Sequence, residues 1–251
     1  MKAWAWSVIK RSSRRLGYDL VAHHALPPDF SDEDRSIIDA VRPYTMTTPE
    51  RLVALMAATR YIIARAIPGD IVECGVWRGG SMMATAQVLR SLGVSNRGLY
   101  LFDTFTGMPT PGPEDVDFKG TPATDVFRKE WCYVPLDSVQ RAVYSVGYDP
   151  VRIRFVPGQV ERTIPEHAPD RIALLRLDTD WYQSTRHELE HLFPRLSPGG
   201  VLIIDDYGHW RGARQAVDEY LAAQGIDLLL HRIDVGGRIA LKPWLGDDPP
   251  S

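Results

Sequence analysis

The chain has 251 residues, 29 basic against 32 acidic side chains, a formal net charge of -3, two cysteines and 44% hydrophobic residues. That length suits one large domain or two small ones and can bury a core without staples. The near-even charge excludes a general pull toward nucleic acid. Cys74 and Cys132 are too few for a disulfide framework or a zinc knuckle, and they suit a reducing, cytoplasmic setting.

Residues 1–15 read MKAWAWSVIKRSSRR. The apolar stretch from Ala3 to Ile9 falls far short of the ~20 residues of a membrane span, and no small-residue cleavage site follows it. Trp4 and Trp6 ahead of Lys10, Arg11, Arg14 and Arg15 leave two readings open. One is weak peripheral contact with an anionic membrane; the other is an arm packed on a partner subunit of a homo-oligomer, or a terminus with neither role. Residues 1–43 are read as an N-terminal arm with helices, and 44–251 as the main domain.

Thr48-Pro49-Glu50 is a helix start: a capping hydroxyl, proline at the first helical position, then an acid near the positive helix end. The helix runs to Pro68-Gly69. Short apolar runs then recur at 71–76, 98–103, 151–156, 172–178, 201–206 and 228–233, with helical segments near 80–92, 135–147, 183–196 and 211–224. Near-continuous apolar strands separated by helices predict a parallel sheet covered on both faces, a doubly wound, Rossmann-like α/β fold. The short glycine-containing turn at 234–237 before RIALK (238–242) predicts a closing hairpin, with its last strand antiparallel. Residues 104–134 carry four prolines and several glycines, too long for a compact connection, and start where ligands bind in such sheets. Their aromatics favour a lid over the site rather than a disordered linker.

Three strand ends carry candidate chemistry. The turn Glu73-Cys74-Gly75-Val76-Trp77-Arg78-Gly79-Gly80-Ser81 lets backbone approach a ligand, but its spacing is neither a dinucleotide fingerprint nor a P-loop. Glu73 would repel a diphosphate and suits a cationic ligand such as an amino group or a sulfonium. Asp103, ending the second strand, suits the two ribose hydroxyls of a nucleoside, so turn and acid together imply an adenosine-type cofactor. Asp178-Thr179-Asp180 ends the fourth strand and Asp205-Asp206 the fifth. Carboxylates so close need a cation, and hard oxygen ligands select Mg²⁺, Mn²⁺ or Ca²⁺. His209 reads equally as a base or as a polar loop residue. Asp-x-Asp at a strand end also occurs in metal-dependent nucleotide-sugar glycosyltransferases, though that reading leaves the glycine turn and Asp103 unexplained. A dinucleotide dehydrogenase fails on glycine spacing. The antiparallel final hairpin is the arrangement of S-adenosylmethionine-dependent methyltransferases.

The segments YTMTTPERL (44–52), IVECGVWRGGS (71–81), LYLFDTFTGMP (99–109), VPGQVERTIP (156–165), LRLDTDWYQST (175–185) and SPGGVLIIDDYGHWRGARQAVDEY (197–220) resemble, in order, the macrocin O-methyltransferase family. The resemblance implies magnesium-dependent methyl transfer from S-adenosylmethionine to a hydroxyl, usually on a sugar of a natural product. It implies Asp178, Asp205 and Asp206 as metal ligands and Asp180 as general base. It implies a cofactor pocket of Glu73, Gly75, Gly79, Ser81, Asp103, Thr104, Phe105, Gln159, Val160 and Asp178, closed by Thr45 and Met46. The first 40 residues show no comparable match.

Overall fold

The computed structural model describes residues 26–128 and 130–244. The tryptophan-bearing segment 1–15 lies outside the described residues. Helix α1 (Asp32–Val41) begins at a capping box, in which Ser31 and Asp34 satisfy each other's backbone N–H. Helix α2 (Pro49–Ala64) starts as the sequence predicts: the Thr48 hydroxyl accepts from Arg51 N–H and proline stands at the first position.

Among the described residues seven strands follow: β1 (Asp70–Cys74), β2 (Leu99–Asp103), β3 (Ile153–Pro157), β4 (Ile172–Leu177), β5 (Leu196–Ile204), β6 (His231–Arg232) and β7 (Arg238–Leu241). Their spatial order is β3-β2-β1-β4-β5-β7-β6. The first five run parallel, while β7 is antiparallel to both β5 and β6. The predicted hairpin is therefore present, but its first arm shrinks from 228–233 to two exposed residues at the sheet edge. Leu228 and Leu230 pack on the helix side instead of extending the ladder.

The intervening helices are α3 (Gly80–Ser91), α4 (Ala123–Val126), α5 (Leu136–Tyr144), α6 (Val160–Thr163), α7 (Tyr182–Leu192) and α8 (Arg211–Ala223). Helix α7 ends earlier than the pattern predicts because Pro194 lacks the N–H to continue it, and a short 3-10 turn takes over. Alternation along each strand divides the core in two. Ile71, Leu99, Leu174 and Val201 face α1, α2, α3 and α5, whereas Val72, Phe102, Leu175 and Leu202 face α7 and α8.

The chain leaves β1 toward β2 and β3 on one side and returns to β4 on the other. The crevice at the carboxyl ends of β1 and β4 is the switch point where such sheets bind ligands. Segment 104–134 differs from an unstructured lid: Val116 pairs with Pro122, Asp117 pairs with Trp210, and α4 lies within it.

Candidate active site

At the switch point two turns touch. Asp178 N–H donates to the Cys74 carbonyl at 2.8 Å. Gly75 has φ +84°, and a Cβ there would stand 1.9 Å from the Asp178 carbonyl oxygen. Only glycine lets the β1 and β4 turns approach this closely.

The Asp103 carboxylate ties the glycine turn to β2, accepting from Val76 N–H at 2.7 Å, Trp77 N–H at 2.9 Å and Phe105 N–H at 2.7 Å. Above these turns lies a cavity of about 650 Å³, within the range of small-molecule sites. Every parallel strand end contributes to its wall: Gly75 to Trp77, Asp103 and Thr104, Gly158 to Val160, Asp178 to Trp181, and Asp205 with Asp206, His209 and Trp210. Thr45, Met46, Thr47 and Arg51 close it from the α2 side, Ser81 opens α3, and Met108, Pro109, Trp131 and Cys132 cover it from segment 104–134.

Most of the residues expected from the sequence thus converge: Thr45, Met46, Gly75, Ser81, Asp103, Thr104, Gln159, Val160, Asp178, Asp180, Asp205, Asp206 and His209. Three do not line the cavity. Gly79 serves packing: it caps α3 with φ +89°, where a Cβ would meet Val143 of α5 at 2.6 Å. Phe105 is buried in the core, tilted against Phe155 at a centroid distance of 6.3 Å. Glu73 is buried beneath the floor, and its cation is not a ligand but Arg176, at 2.6 Å.

Arg176 corrects the electrostatic expectation more widely. Glu73 and Arg176 are register partners on β1 and β4, and Asp205 lies two residues beyond Ile203, the β5 partner of Arg176. Alternation therefore puts all three on the α2 face. The Arg176 guanidinium reaches Asp178 at 2.8 Å and Asp205 at 2.9 Å and donates to the Thr47 hydroxyl at 2.9 Å. Arg51 reaches Asp205 at 2.5 Å and Asp234, in the β6–β7 turn, at 2.8 Å. The cations that meet the acid cluster among the described residues are the Arg51 and Arg176 guanidinium groups. Among the described residues, no three His, Cys, Asp or Glu side chains are arranged around a common metal position.

Positive charge is still short. Five carboxyls, of Glu73, Asp178, Asp180, Asp205 and Asp206, gather here, and the two arginines pair with three of them, Glu73, Asp178 and Asp205. Burial pushes Glu73 up to about 7 despite Arg176. Burial, with like charge from neighbouring aspartates, raises Asp178 and Asp206 well above the carboxylate range. Burial and then Asp178 push Asp180 up to about 7. Asp180 has φ +64°, and its Oδ1 accepts from the Trp210 indole N–H at 2.7 Å. His209 is exposed at the mouth between the Phe118 and Trp210 rings, and desolvation lowers its pKa.

The sequence reading missed Arg51, Arg176, Trp181 and Trp210. A signal existed for Arg176: an arginine inside the apolar run IALLRLD implies a buried acid partner. Nothing local marks Arg51, whose partners lie 154 and 183 residues away.

The strand order, the glycine turn at the switch point and the acid closing β2 define the fold of S-adenosylmethionine-dependent methyltransferases. The profile of the Macrocin-O-methyltransferase (TylF) family matches residues 24–240, and the chain belongs to this family of O-methyltransferases. It is 38% identical over 198 residues to the 8-demethyl-8-(2,3-dimethoxy-alpha-L-rhamnosyl)-tetracenomycin-C 4'-O-methyltransferase of Streptomyces olivaceus, spanning 77% of this chain and 74% of the relative. It is 32% identical over 219 residues to the demethyldecarbamoylnovobiocin O-methyltransferase of Streptomyces niveus, spanning 83% of each. The solved O-methyltransferase NovP superposes with a TM-score of 0.72 at 32% identity, covering 80% of this chain and 83% of that one. These likenesses give the glycosyltransferase alternative no support. Among the described residues, no helix is long and apolar enough to cross a membrane.

Proposed function

We propose that this enzyme transfers a methyl group from S-adenosylmethionine to a hydroxyl on a sugar of a natural product, with the help of a divalent cation, Mg²⁺ or Mn²⁺. The observation that carries the reading is one cavity with two chemically distinct ends. The glycine turn and Asp103 form one end, and the carboxyls after β4 and β5 form the other. The name of the Streptomyces olivaceus relative, which specifies a dimethoxy-rhamnosyl substituent and 4'-O-methyl transfer, supports a sugar hydroxyl as acceptor.

The first end suits the nucleoside half of the donor. Asp103 holds the Val76 and Trp77 amides in place, and its remaining lone pairs would accept from ribose hydroxyls. Gln159 and Val160 would flank the base from the end of β3, with Thr45 and Met46 covering the opposite side. The aromatic side chains in the wall, Trp77, Trp131, Trp181 and Trp210, would shield the methyl donor from water and help to align it with the acceptor.

The second end suits a hard cation in donor type and charge, since its carboxyls outnumber the arginines that face them; both Asp205 oxygens are held by Arg51 and Arg176, so such a cation would have to displace a guanidinium there. Asp178, Asp205 and Asp206 are the residues that would hold it. When bound, such a cation stabilises a developing alkoxide on the acceptor. Asp180 takes the hydroxyl proton, held by the Trp210 indole. His209, at the mouth, is the alternative proton acceptor.

The test is methyl transfer to a panel of deoxysugar-bearing glycosides, followed by mass spectrometry, with excess chelator and with restored Mg²⁺. Transfer that stops in chelator and returns with Mg²⁺ supports the reading. Full activity in chelator removes the cation from it. Failure of calorimetric S-adenosylmethionine binding removes the donor.

A further inference from the structure

Both helices that follow the acidic strand ends begin with tryptophan. Trp181 is the residue before α7 and Trp210 the residue before α8, and neither side chain caps its helix. That position ordinarily holds Ser, Thr, Asp or Asn, so these two indoles serve something else. They are 2% and 7% exposed and meet edge to face at a centroid distance of 5.0 Å.

The caps come instead from segment 104–134. The Asp115 carboxylate accepts from Tyr182 N–H at 2.8 Å, at the start of α7. The next residue, Val116, accepts from Arg211 N–H at 2.8 Å, at the start of α8. Trp181 Nε1–H donates to the Pro109 carbonyl at 2.9 Å. The segment is a strap fastened to both helix starts, and one further bond leads from this arrangement to the reacting end of the cavity: Trp210 Nε1–H to Asp180 Oδ1. Asp180 sits at φ +64°, in the left-handed region that aspartate tolerates better than most non-glycine residues, and the indole bond holds its carboxyl there.

We propose that Trp210 is a positioning residue for Asp180, its indole N–H fixing the carboxylate while the strap fixes the indole. This rests on Asp180 being the base. One oxygen of Asp180 is occupied by the indole, and the carboxyl also meets the Asp206 side chain, so the indole helps to fix how Asp180 stands in the cavity wall. The strap thereby acts on the reaction without touching the reacting atoms, through Asp115, Val116 and the paired indoles.

The experiment compares W210F, D180N and the double variant. W210F keeps an aromatic ring and lacks the N–H. It is expected to lower kcat tenfold or more, with the S-adenosylmethionine Kd and the acceptor KM within about twofold of the parent. The double variant is expected to turn over no more slowly than D180N, because both changes remove one device. If W210F melts before assay, W210Q against W210M isolates the donor: both are of similar length, and only Gln retains an N–H. Gln must then exceed Met in kcat. A W210F enzyme with kcat within twofold of the parent, or Gln and Met variants with equal kcat, overturns the positioning role while D180N stays strongly impaired. Parental kcat in D180N instead overturns the base assignment on which the proposal rests, so the two failures are separable.

Discussion

Arg176 and Glu73 face each other across the β1–β4 ladder, 2.6 Å apart and 2% and 1% exposed. Two charges buried this deeply are kept by their partnership rather than by solvent, and removing one strands the other. R176M would leave Glu73, Asp178 and Asp205 without their shared guanidinium. The expected loss is about 3–5 kcal/mol of unfolding free energy, the usual cost of breaking a buried pair. Urea denaturation measures it, and the R176M/E73Q double variant should recover part of the loss. An R176M midpoint equal to the parent's would show that the pair contributes nothing.

Gly75 makes a second prediction. A Cβ at 1.9 Å from the Asp178 carbonyl must push the β1 and β4 turns apart, and φ +84° adds strain of about 1–2 kcal/mol. G75A should therefore fold poorly or lose well over ~2 kcal/mol, with S-adenosylmethionine binding impaired. Gly93 is the control: it also has positive φ, +69°, but nothing lies within 4 Å of its would-be Cβ. G93A should cost only the strain. Equal melting temperatures for the two variants would contradict the close-approach argument.

Asp103 is expected to matter for the donor twice, by holding the glycine turn and by meeting the ribose. D103A should weaken S-adenosylmethionine binding at least tenfold, about 1.4 kcal/mol, read by calorimetry in the absence of acceptor. Parental affinity in D103A would detach Asp103 from the nucleoside.

The Arg51–Asp234 contact predicts a pH dependence. Burial alone would raise the Asp234 pKa, but the Gly237 amide, Arg51 and Thr48 outweigh it and hold the carboxyl below its ordinary value. An aspartate in the unfolded chain titrates near ~4. With the folded pKa lower, the folded state binds fewer protons. The stabilisation is full above that unfolded value and disappears as pH falls through the folded one. Below about pH 4, where the buried carboxyls with raised pKa values are protonated in both states, urea midpoints should decline on further acidification, and D234N should decline less over the same window. Parallel declines in the two proteins would remove Asp234 from the acid limb.

The alternation of apolar strands and helices, the Thr48-Pro49 start and the glycine-containing turn before RIALK were all legible, because each is written within about ten neighbouring residues. So were the acids at the ends of β2, β4 and β5, since in a parallel sheet every strand ends on the same edge. Local chemistry on a repeated βα unit carries that much of the candidate site. Gly79 and Phe105 were legible as motif positions but not as packing residues. Which way a turn residue faces depends on α5 and β3, far along the chain.

What the tertiary structure alone decided was the pairing of the charges and the fastening of the strap. The cluster of acids implied a cation, but not that Arg176, inside β4 itself, and Arg51 on α2 would supply two of them. The long segment after β2 implied a cover, but not that consecutive residues Asp115 and Val116 would cap α7 and α8. Periodicity and turn chemistry act over one element, so the sequence determines them by itself. Ion pairs and caps between elements depend on strand register and helix placement, which exist only once the sheet has assembled.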